Sequence, residues 1–485
     1  MRSKRCRGDV KVMASVAAII AVTILVGACT VRYQPSNLGG LYSQAARHHG
    51  PERHAIIVIP GILGSRLEDS VTGQVAWGAF SGGYAKPNNP AGASLLALPM
   101  ARGRPLSELQ DEVEATQVLD RIRVRLFGLP VQLKAYFQMI EVLGAGGYRD
   151  ESLGLSGAVD WGDDHFTCFQ FPYDFRRDNV ENARRLHEFI LDKKAYIQQE
   201  TERRYGVVDA DIKFDIVAHS MGALLARYYL RYGGADLPAD GSLPALTWAG
   251  SQHVDRAILV APPNAGSLES LVNLVEGRKF GPTLPRYSPT VLGSFPALYQ
   301  LLPRSRHGSV VWADGGEPIE DLLDPQLWQG MGWGLASPAE AESLGWLLPE
   351  IATAADRRAV ALDHQRKSLE RARQFAAALD RPGQRPSGVD LMLVAGDAVD
   401  TPAVIAVDRS TGRLRVLEMG SGDGSVLRSS ALMDERIGRT WQPTLQSPIG
   451  WTDTLMLFTN HLGLTKDRIF SDNVLYWLLE DPRNS

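Results

Sequence analysis

Ser220 stands in a sequence pattern that is typical of an activated nucleophile. Residues 218–222 read Ala-His-Ser-Met-Gly, with a small residue two positions before and two positions after the serine. Small flanks are needed where a serine sits on a strained strand-to-helix turn, because bulky neighbours would clash with the folded-back backbone. A β-branched run ends just before the pattern, and residues 224–232 after it have helical character. This setting predicts a nucleophile elbow, with the backbone N–H of Met221 as one donor to an oxyanion.

A serine nucleophile needs a base and a carboxylate that orients the base. In folds with this elbow the chain order is serine, acid, histidine, so the base must come late. Among ten histidines, His461 alone lies late enough, between a predicted strand and a terminal helix. Two carboxylates lie at late strand ends, Asp397 after an apolar run and Asp423 in a glycine-flanked loop. His219, beside the serine, is predicted to be a packing residue of the turn.

The elements around these residues alternate between apolar strands and helical segments. Strands are predicted at residues 55–59, 214–217, 254–260 and 391–395, with helices at 132–143, 182–205 and 471–479. This alternation predicts an α/β fold, a mostly parallel sheet with helices on both faces. It breaks down over about residues 266–385, which we interpret as a large inserted cap or lid. Three cap tryptophans either contact a bilayer or fill the core of the cap: Trp328, Trp333 and Trp346.

The chain resembles the lecithin:cholesterol acyltransferase family, which includes the phospholipid:diacylglycerol acyltransferases. The matching stretches occur in the family's order and cover most of residues 55–479. They are residues 59–68 (Ile-Pro-Gly-Ile-Leu-Gly-Ser-Arg-Leu-Glu), 172–176 (Pro-Tyr-Asp-Phe-Arg), 218–222, 227–229 (Arg-Tyr-Tyr), 261–266 (Ala-Pro-Pro-Asn-Ala-Gly), 301–303 (Leu-Leu-Pro), 422–426 (Gly-Asp-Gly-Ser-Val) and His461. Phe175 stands where the family usually has Trp, and the paired cysteines that hold a lid loop in the animal enzymes are missing.

This resemblance implies an α/β-hydrolase fold and a Ser–Asp–His triad of Ser220, Asp423 and His461. It favours Asp423 over Asp397 as the acid, and it implies that the backbone N–H of Ile62 is the second oxyanion donor. It also implies a lipid ester as substrate, with a phospholipid as the expected acyl donor, attacked without a cofactor. The acyl group then passes to water in a lipase or phospholipase, or to a lipid alcohol in an O-acyltransferase.

The N-terminus predicts export and lipid anchoring. Five basic residues precede an uncharged apolar stretch over residues 12–26, and Gly-Ala-Cys follows at residues 27–29. A positive region, an apolar region and small residues at a cleavage point are typical of a secretory signal. We predict a signal peptide at residues 1–28, lipidation of Cys29, a tether at 29–50 and the hydrolase domain at 51–485. The expected location is a bacterial cell envelope, at the outer membrane facing the periplasm; a retained membrane anchor is the alternative.

The net charge and the spacing of the histidines argue against some classes of binding partner. The net charge is -4 and no basic cluster is evident, so no nucleic-acid partner is expected. The histidines have no ligand-like spacing with cysteines or carboxylates, so no metal is predicted, and no obligate protein partner is evident. Two other functions stay open. One is a non-catalytic envelope lipoprotein on a hydrolase scaffold, and the other is an esterase of non-lipid substrates.

Overall fold

The computed structural model describes residues 36–78, 85–119, 121–126, 129–134, 136–154, 159, 162–279 and 285–483. Within these ranges the strands are β1 (Ala55–Ile59), β2 (Ser65–Asp69), β3 (Val75–Trp77), β4 (Val113–Val118), β5 (Arg121–Leu126), β6 (Leu129–Lys134), β7 (Cys168–Gln170), β8 (Phe214–His219), β9 (Val254–Val260), β10 (Arg278–Lys279), β11 (Arg286–Tyr287), β12 (Val310–Trp312), β13 (Asp390–Gly396), β14 (Val399–Val407), β15 (Leu414–Gly422) and β16 (Asp453–Leu457).

The α-helices of the described ranges are α1 (Leu38–Leu41), α2 (Ser43–Arg47), α3 (Pro90–Leu96), α4 (Phe137–Ala145), α5 (Asn179–Tyr205), α6 (Met221–Tyr232), α7 (Leu268–Glu276), α8 (Pro289–Gly293), α9 (Pro296–Tyr299), α10 (Pro325–Met331), α11 (Ala341–Leu347), α12 (Ala354–Asp380), α13 (Arg428–Leu432) and α14 (Arg468–Leu479).

A six-stranded sheet forms the centre of the fold, in the order β16–β13–β9–β8–β1–β7. Every neighbouring pair of these strands is parallel. Strands β1, β8 and β13 are buried along their whole length, as near-continuous apolar runs require when both sheet faces are covered. Because the carboxyl ends of parallel strands meet at one edge, the loops after β1, β8 and β16 lie close together.

Alternate residues of β1 pack into different hydrophobic cores. Ile57 and Ile59 join a core that includes residues of helices α5 and α6. Ile56 and Val58 join a second core, which includes residues of α4 and α14. Side chains of a strand alternate between the two sheet faces, so helices cover both faces. The predicted α/β architecture is therefore confirmed.

The segment predicted as a cap, residues 266–385, contains helices α7 to α12 and strands β10 to β12. It is continuous with the elements that follow it, because β12 pairs with β14 and β14 pairs with β15. Trp328 and Trp333 are buried, and their indole N–H groups each donate at 2.7 Å to a carbonyl oxygen, of Leu322 and Gly412 respectively. These two tryptophans fill the interior, so bilayer contact was the wrong alternative for them; Trp346 is half-buried.

One predicted helix begins later than its sequence pattern indicated. Residues 129–134, partly assigned to a helix at 132–143, form β6 in an antiparallel hairpin with β5, and helix α4 starts at Phe137. The signal for the hairpin was present in the sequence. Arg121, Arg123 and Arg125 alternate with apolar residues at the period of two that is typical of a strand.

The predicted signal peptide, Cys29 and the start of the tether lie outside the described residues. The rest of the tether includes helices α1 and α2, and between them Tyr42 is buried, with its hydroxyl 2.8 Å from Asp472 Oδ1 in α14. Across the part of the chain that the structure describes, no helix is both long and apolar enough to span a membrane.

Candidate active site

Ser220 occupies a strained turn between β8 and α6. Its backbone has φ +54° and ψ -124°, a conformation that residues with a side chain rarely adopt. Its N–H donates to the Val260 carbonyl oxygen at 2.8 Å, which fixes the turn to β9. A Cβ on Gly222 would lie 2.2 Å from the Pro60 carbonyl oxygen. Helix α6 approaches the loop after β1 so closely that residue 222, two positions after the serine, must be glycine.

His461 lies between Ser220 and Asp423. Its Nε2 is 2.9 Å from Ser220 Oγ, and its Nδ1 is 2.8 Å from Asp423 Oδ2. The His461 backbone N–H also donates to the Asp423 carbonyl oxygen at 2.8 Å. The carboxylate accepts from Nδ1, so Nε2 is free to accept the serine proton. The structure brings these three side chains, far apart in the sequence, into one hydrogen-bonded line.

Asp423 is held as a buried carboxylate in the loop after β15. Its Oδ1 accepts hydrogen bonds from the backbone N–H groups of Ser425 (3.0 Å) and Val426 (2.7 Å). Burial raises the pKa of Asp423, but His461 and these two N–H groups outweigh burial, so the pKa lies below its usual value. The group is therefore an anion at neutral pH, as orientation of an imidazole requires.

Asp397, the alternative acid, follows β13 and has different surroundings. Its Oδ2 lies 4.0 Å from Arg428 Nε, and its buried Oδ1 has no hydrogen-bond partner among the described residues. His461 directs its Nδ1 to Asp423 instead. A Cβ on Gly396 would lie 2.6 Å from the Asp423 Cβ, so both aspartates lie near the end of β13.

The two proposed oxyanion donors flank Ser220. Met221 is the first residue of helix α6, where the N–H groups of the first turn have no partner within the helix. Ile62 belongs to the loop after β1 and lines the same cavity as Ser220. This loop lies against the serine, because a Cβ on Gly61 would lie 2.8 Å from Ser220 Cβ.

Ser220 and His461 open into a cavity of about 570 Å³. Its lining is mainly apolar and includes Trp77, Leu119, Leu292, Phe295, Leu298 and Leu301. The lining also includes Glu269 and Arg278, which form an ion pair. A cavity of this size and character suits a ligand with a long apolar part and a few polar groups.

His219 has a role that sequence reasoning missed. It was predicted to be a packing residue, but its Nδ1 lies 2.9 Å from Tyr136 Oη and its Nε2 lies 3.1 Å from the His461 carbonyl oxygen. Burial first, then the neighbouring His461, lowers the pKa of His219 to about 3. The sequence offered no signal for this, because Tyr136 comes from a distant helix start.

One grouping of possible metal ligands is present among the described residues: His54, Asp215 and Asp255. The guanidinium group of Arg483 lies among them, at 2.8 Å from Asp215 Oδ2 and 2.5 Å from Asp255 Oδ2. The positive charge of the arginine thus already meets these carboxylates, so we assign no metal to them.

Residues 113–325 match the sequence model of the lecithin:cholesterol acyltransferase family. The predicted resemblance to this family is confirmed. The matched range includes Ser220 and ends before Asp423 and His461. The match supports a hydrolase or acyltransferase of lipid esters as the class of enzyme.

The chain is also similar to solved structures. A chain in the crystal structure of the Tle4–Tli4 complex is 14% identical to this chain, with a TM-score of 0.51 over 88% of this chain and 98% of that one. Lipase 1 from Pelosinus fermentans is 13% identical, with a TM-score of 0.33 over 88% of this chain and 99% of that one. EstA from Clostridium botulinum is 11% identical, with a TM-score of 0.31 over 90% of this chain and 89% of that one. No curated protein matches the sequence. The parallel sheet with helices on both of its faces has the arrangement of the α/β-hydrolase fold.

Proposed function

We propose that this chain is a serine-dependent acyl-transfer enzyme that acts on lipid esters. In this proposal Ser220 is the nucleophile, His461 is the general base and then the general acid, and Asp423 orients His461. The backbone N–H groups of Ile62 and Met221 hold the oxyanion. The observation that carries the proposal is the continuous hydrogen-bonded line from Asp423 through His461 to Ser220, ending in an apolar cavity.

The first half of the reaction forms an acyl-enzyme. Ser220 Oγ attacks the ester carbonyl carbon while its proton moves to His461 Nε2, and the carbonyl oxygen becomes an oxyanion. Preorganised N–H donors stabilise that charge by roughly 3 kcal/mol each. The tetrahedral intermediate then breaks its bond to the alcohol oxygen. The leaving alcohol takes the proton from His461, and the acyl group stays on Ser220.

The second half transfers the acyl group to a new oxygen. Water or an alcohol gives its proton to His461 Nε2 and attacks the acyl carbonyl carbon, and Ser220 Oγ leaves and regains a proton. Water yields a fatty acid, and a lipid alcohol yields a new ester. Both use the same three side chains, so the outcome depends on which nucleophile is held in line with the acyl group.

We propose that hydrolysis is the default and that transfer occurs when an alcohol acceptor is concentrated in the membrane. Among the described residues Cys168 is the one cysteine, and it is buried in β7 without a disulfide partner. No disulfide therefore restrains the described loops around the cavity. In this proposal, loops without a disulfide admit water more readily and position an alcohol more weakly.

Product partitioning tests this function. Phospholipid vesicles with increasing mole fractions of a long-chain alcohol or sterol are incubated with the protein, and free fatty acid and acylated acceptor are measured. Fatty acid is expected to dominate at a few mole per cent of acceptor, and Ser220→Ala is expected to yield neither product. Ser270→Ala is the matched control, because this buried serine lines the same cavity and makes no contact in the triad. Dominant acylated acceptor at low mole fraction identifies a dedicated acyltransferase.

Two other functions have less support. A non-catalytic envelope lipoprotein on a hydrolase scaffold has no need for a strained serine within hydrogen-bond distance of a histidine. An esterase of non-lipid substrates has no need for so apolar a cavity. A panel of water-soluble acetyl and peptide esters beside the vesicles separates these cases, since comparable turnover of the soluble esters would favour the second.

We also propose that the protein is lipid-anchored through Cys29 in a bacterial cell envelope, at the outer membrane facing the periplasm. The support is the sequence pattern of residues 2–29. Cys29→Ser is expected to leave a longer precursor without lipid label when cells are fed a palmitate analogue and fractionated. Label retained on the serine variant would contradict this anchoring.

A further inference from the structure

A buried line of hydrogen bonds connects two parts of the site that the triad does not link. His219 Nε2 lies 3.1 Å from the His461 carbonyl oxygen, and His219 Nδ1 lies 2.9 Å from Tyr136 Oη. At its other end, Tyr136 Oη accepts a hydrogen bond from the Gly61 N–H at 2.8 Å. Tyr136 and His219 are both almost fully buried and border the cavity, but the proposed mechanism gives neither of them a bond-making or proton-transfer step.

The direction of every hydrogen bond in this line is fixed. A backbone carbonyl oxygen only accepts, so His219 Nε2 carries the proton and Nδ1 is the acceptor. Tyr136 therefore donates its hydroxyl proton to Nδ1 and accepts from the N–H of Gly61. Each polar group has a partner, which buried polar groups require.

Protonation does not disturb this arrangement near neutral pH. The pKa of His219 is lowered to about 3 by burial and by His461, so the ring stays neutral. Burial raises the pKa of the Tyr136 hydroxyl well above its usual range, so that proton stays in place. His219 thus keeps one tautomer across the pH range in which His461 must act.

The two ends of the line lie at the catalytic groups. Gly61 immediately precedes Ile62, the proposed oxyanion donor, and His461 is the proposed base. We infer that Tyr136 and His219 form a positioning relay. The relay holds the loop after β1, which contains Ile62, and the backbone of His461 in fixed positions relative to each other around Ser220. This inference rests on the proposed function and adds two positioning residues to it.

The relay acts on the geometry of the catalytic groups, because its polar atoms bond to protein groups and Tyr136→Phe keeps the ring that borders the cavity. Hydrogen bonds to an oxyanion and to a nucleophile depend steeply on position, and a misplacement of about 1 Å costs on the order of 10²-fold in rate. Loss of the Tyr136 hydroxyl would leave the N–H of Gly61 without its acceptor and release one end of the loop. The expected signature is therefore a lower kcat with an unchanged KM.

Tyr136→Phe removes the central hydroxyl and keeps the ring. Tyr232→Phe is the matched control, because the Tyr232 hydroxyl is also buried and donates to the Ala378 carbonyl oxygen at 2.8 Å, at the far end of α6. We expect kcat for a short-chain ester to fall about 10- to 100-fold in Tyr136→Phe, with KM unchanged. Tyr232→Phe is expected to lose a similar amount of thermal stability and to keep its kcat.

His219→Asn tests whether the two residues act as one unit. Asparagine keeps an acceptor close to the position of Nδ1 and loses the link to the His461 carbonyl oxygen. We expect kcat to fall in this variant as well. The double variant with Tyr136→Phe is expected to lose less than the product of the two single losses, since either change breaks the same line.

Amide hydrogen exchange gives a readout that does not depend on turnover. Tyr136→Phe is expected to accelerate exchange at Gly61 and Ile62, and Tyr232→Phe is expected to leave it unchanged. The relay is overturned if Tyr136→Phe keeps the kcat of Tyr232→Phe and exchange at Gly61 does not change. A wild-type protein that hydrolyses no ester would overturn the proposed function, and exchange would still decide whether the relay holds the loop.

Discussion

Asp397 and Asp423 end up near the same strand end, but only one of them faces the base. The Asp423 carboxylate binds His461 Nδ1 through one oxygen and two backbone N–H groups through the other. Asp397 has Arg428 at 4.0 Å from one carboxylate oxygen, and its other oxygen has no hydrogen-bond partner among the described residues. An acid that fixes the tautomer of a histidine must contact its Nδ1, and this contact supports Asp423 over Asp397 as the proposed acid.

We predict that Asp423→Asn lowers kcat by about 10⁴-fold, because asparagine favours the wrong tautomer of His461. Asp397→Asn is the matched control, with the same change of group near the same strand, and it is expected to lose less than tenfold. Steady-state kinetics on a short-chain ester measure both. Reversed losses would move the role of acid to Asp397.

The sequence was informative about some site residues and silent about others. Ser220 has a local pattern, and His461 follows from chain order, so both could be predicted from the sequence alone. His219 could not be assigned, because whether it packs or donates depends on Tyr136 and on the His461 backbone, more than eighty residues away in each direction along the chain. Hydrogen bonds between distant segments leave no periodic pattern to find.

Among the helices and strands, the buried strands of the central sheet were the elements that the sequence predicted best. Strands β1, β9 and β13 are near-continuous apolar runs, and their positions match the predicted ones to within one or two residues. The hairpin β5–β6 was partly assigned to a helix, because its apolar residues fit both periods over a short window. The contact between helix α6 and the loop after β1 depends on the tertiary structure, and it explains why residue 222 is a glycine.

Gly222→Ala is predicted to force helix α6 away from that loop. The new Cβ would lie 2.2 Å from the Pro60 carbonyl oxygen and 2.9 Å from Ile59 Cγ2, so backbone must move. We expect the free energy of unfolding to fall by about 1–3 kcal/mol and kcat to fall with it.

Gly330→Ala is the control for this change. Gly330 lies in helix α10, and an added Cβ would meet nothing within 4 Å, so alanine is expected to be neutral or to stabilise by up to about 1 kcal/mol. Denaturant unfolding of both variants measures the difference. Equal stability of the two would show that the close approach at Gly222 does not constrain the fold.

At the scale of the whole molecule, the C-terminal segment is tied to the start of the central sheet. Arg483 contacts both carboxylate oxygens of Asp215, at 2.9 Å and 2.8 Å, and Asp215 is fully buried at the start of β8. Burial raises the pKa of Asp215, but Arg483 and His54 outweigh burial, so the pKa lies below its usual value. The ion pair thus joins the last described residues to the strand that leads into Ser220.

Arg483→Met is predicted to lower the free energy of unfolding at pH 7 by about 3 kcal/mol, because it leaves a buried carboxylate without its main partner. The pKa of Asp215 is lowered in the folded protein, so this stabilisation is complete above the unfolded pKa of about 4 and is lost as the pH falls towards the folded pKa. The difference between wild type and variant should therefore shrink below about pH 4.

The control for this change is Arg373→Met, since Arg373 is half-exposed and pairs with the exposed Asp321. Such a surface pair contributes about 0–1 kcal/mol. Denaturant unfolding at several pH values compares the two variants. The ion pair does not stabilise the fold as proposed if Arg483→Met loses little free energy of unfolding at pH 7, or if its loss grows as the pH falls.

Covalent labelling tests directly whether Ser220 is a nucleophile that His461 activates. The protein is treated with a fluorophosphonate that carries an alkyl chain, and the modified peptide is identified by mass spectrometry. We expect one adduct, on Ser220, that forms far more slowly in His461→Ala and is absent in Ser220→Ala. Esterase activity that persists in Ser220→Ala, or an adduct on another residue, would contradict it.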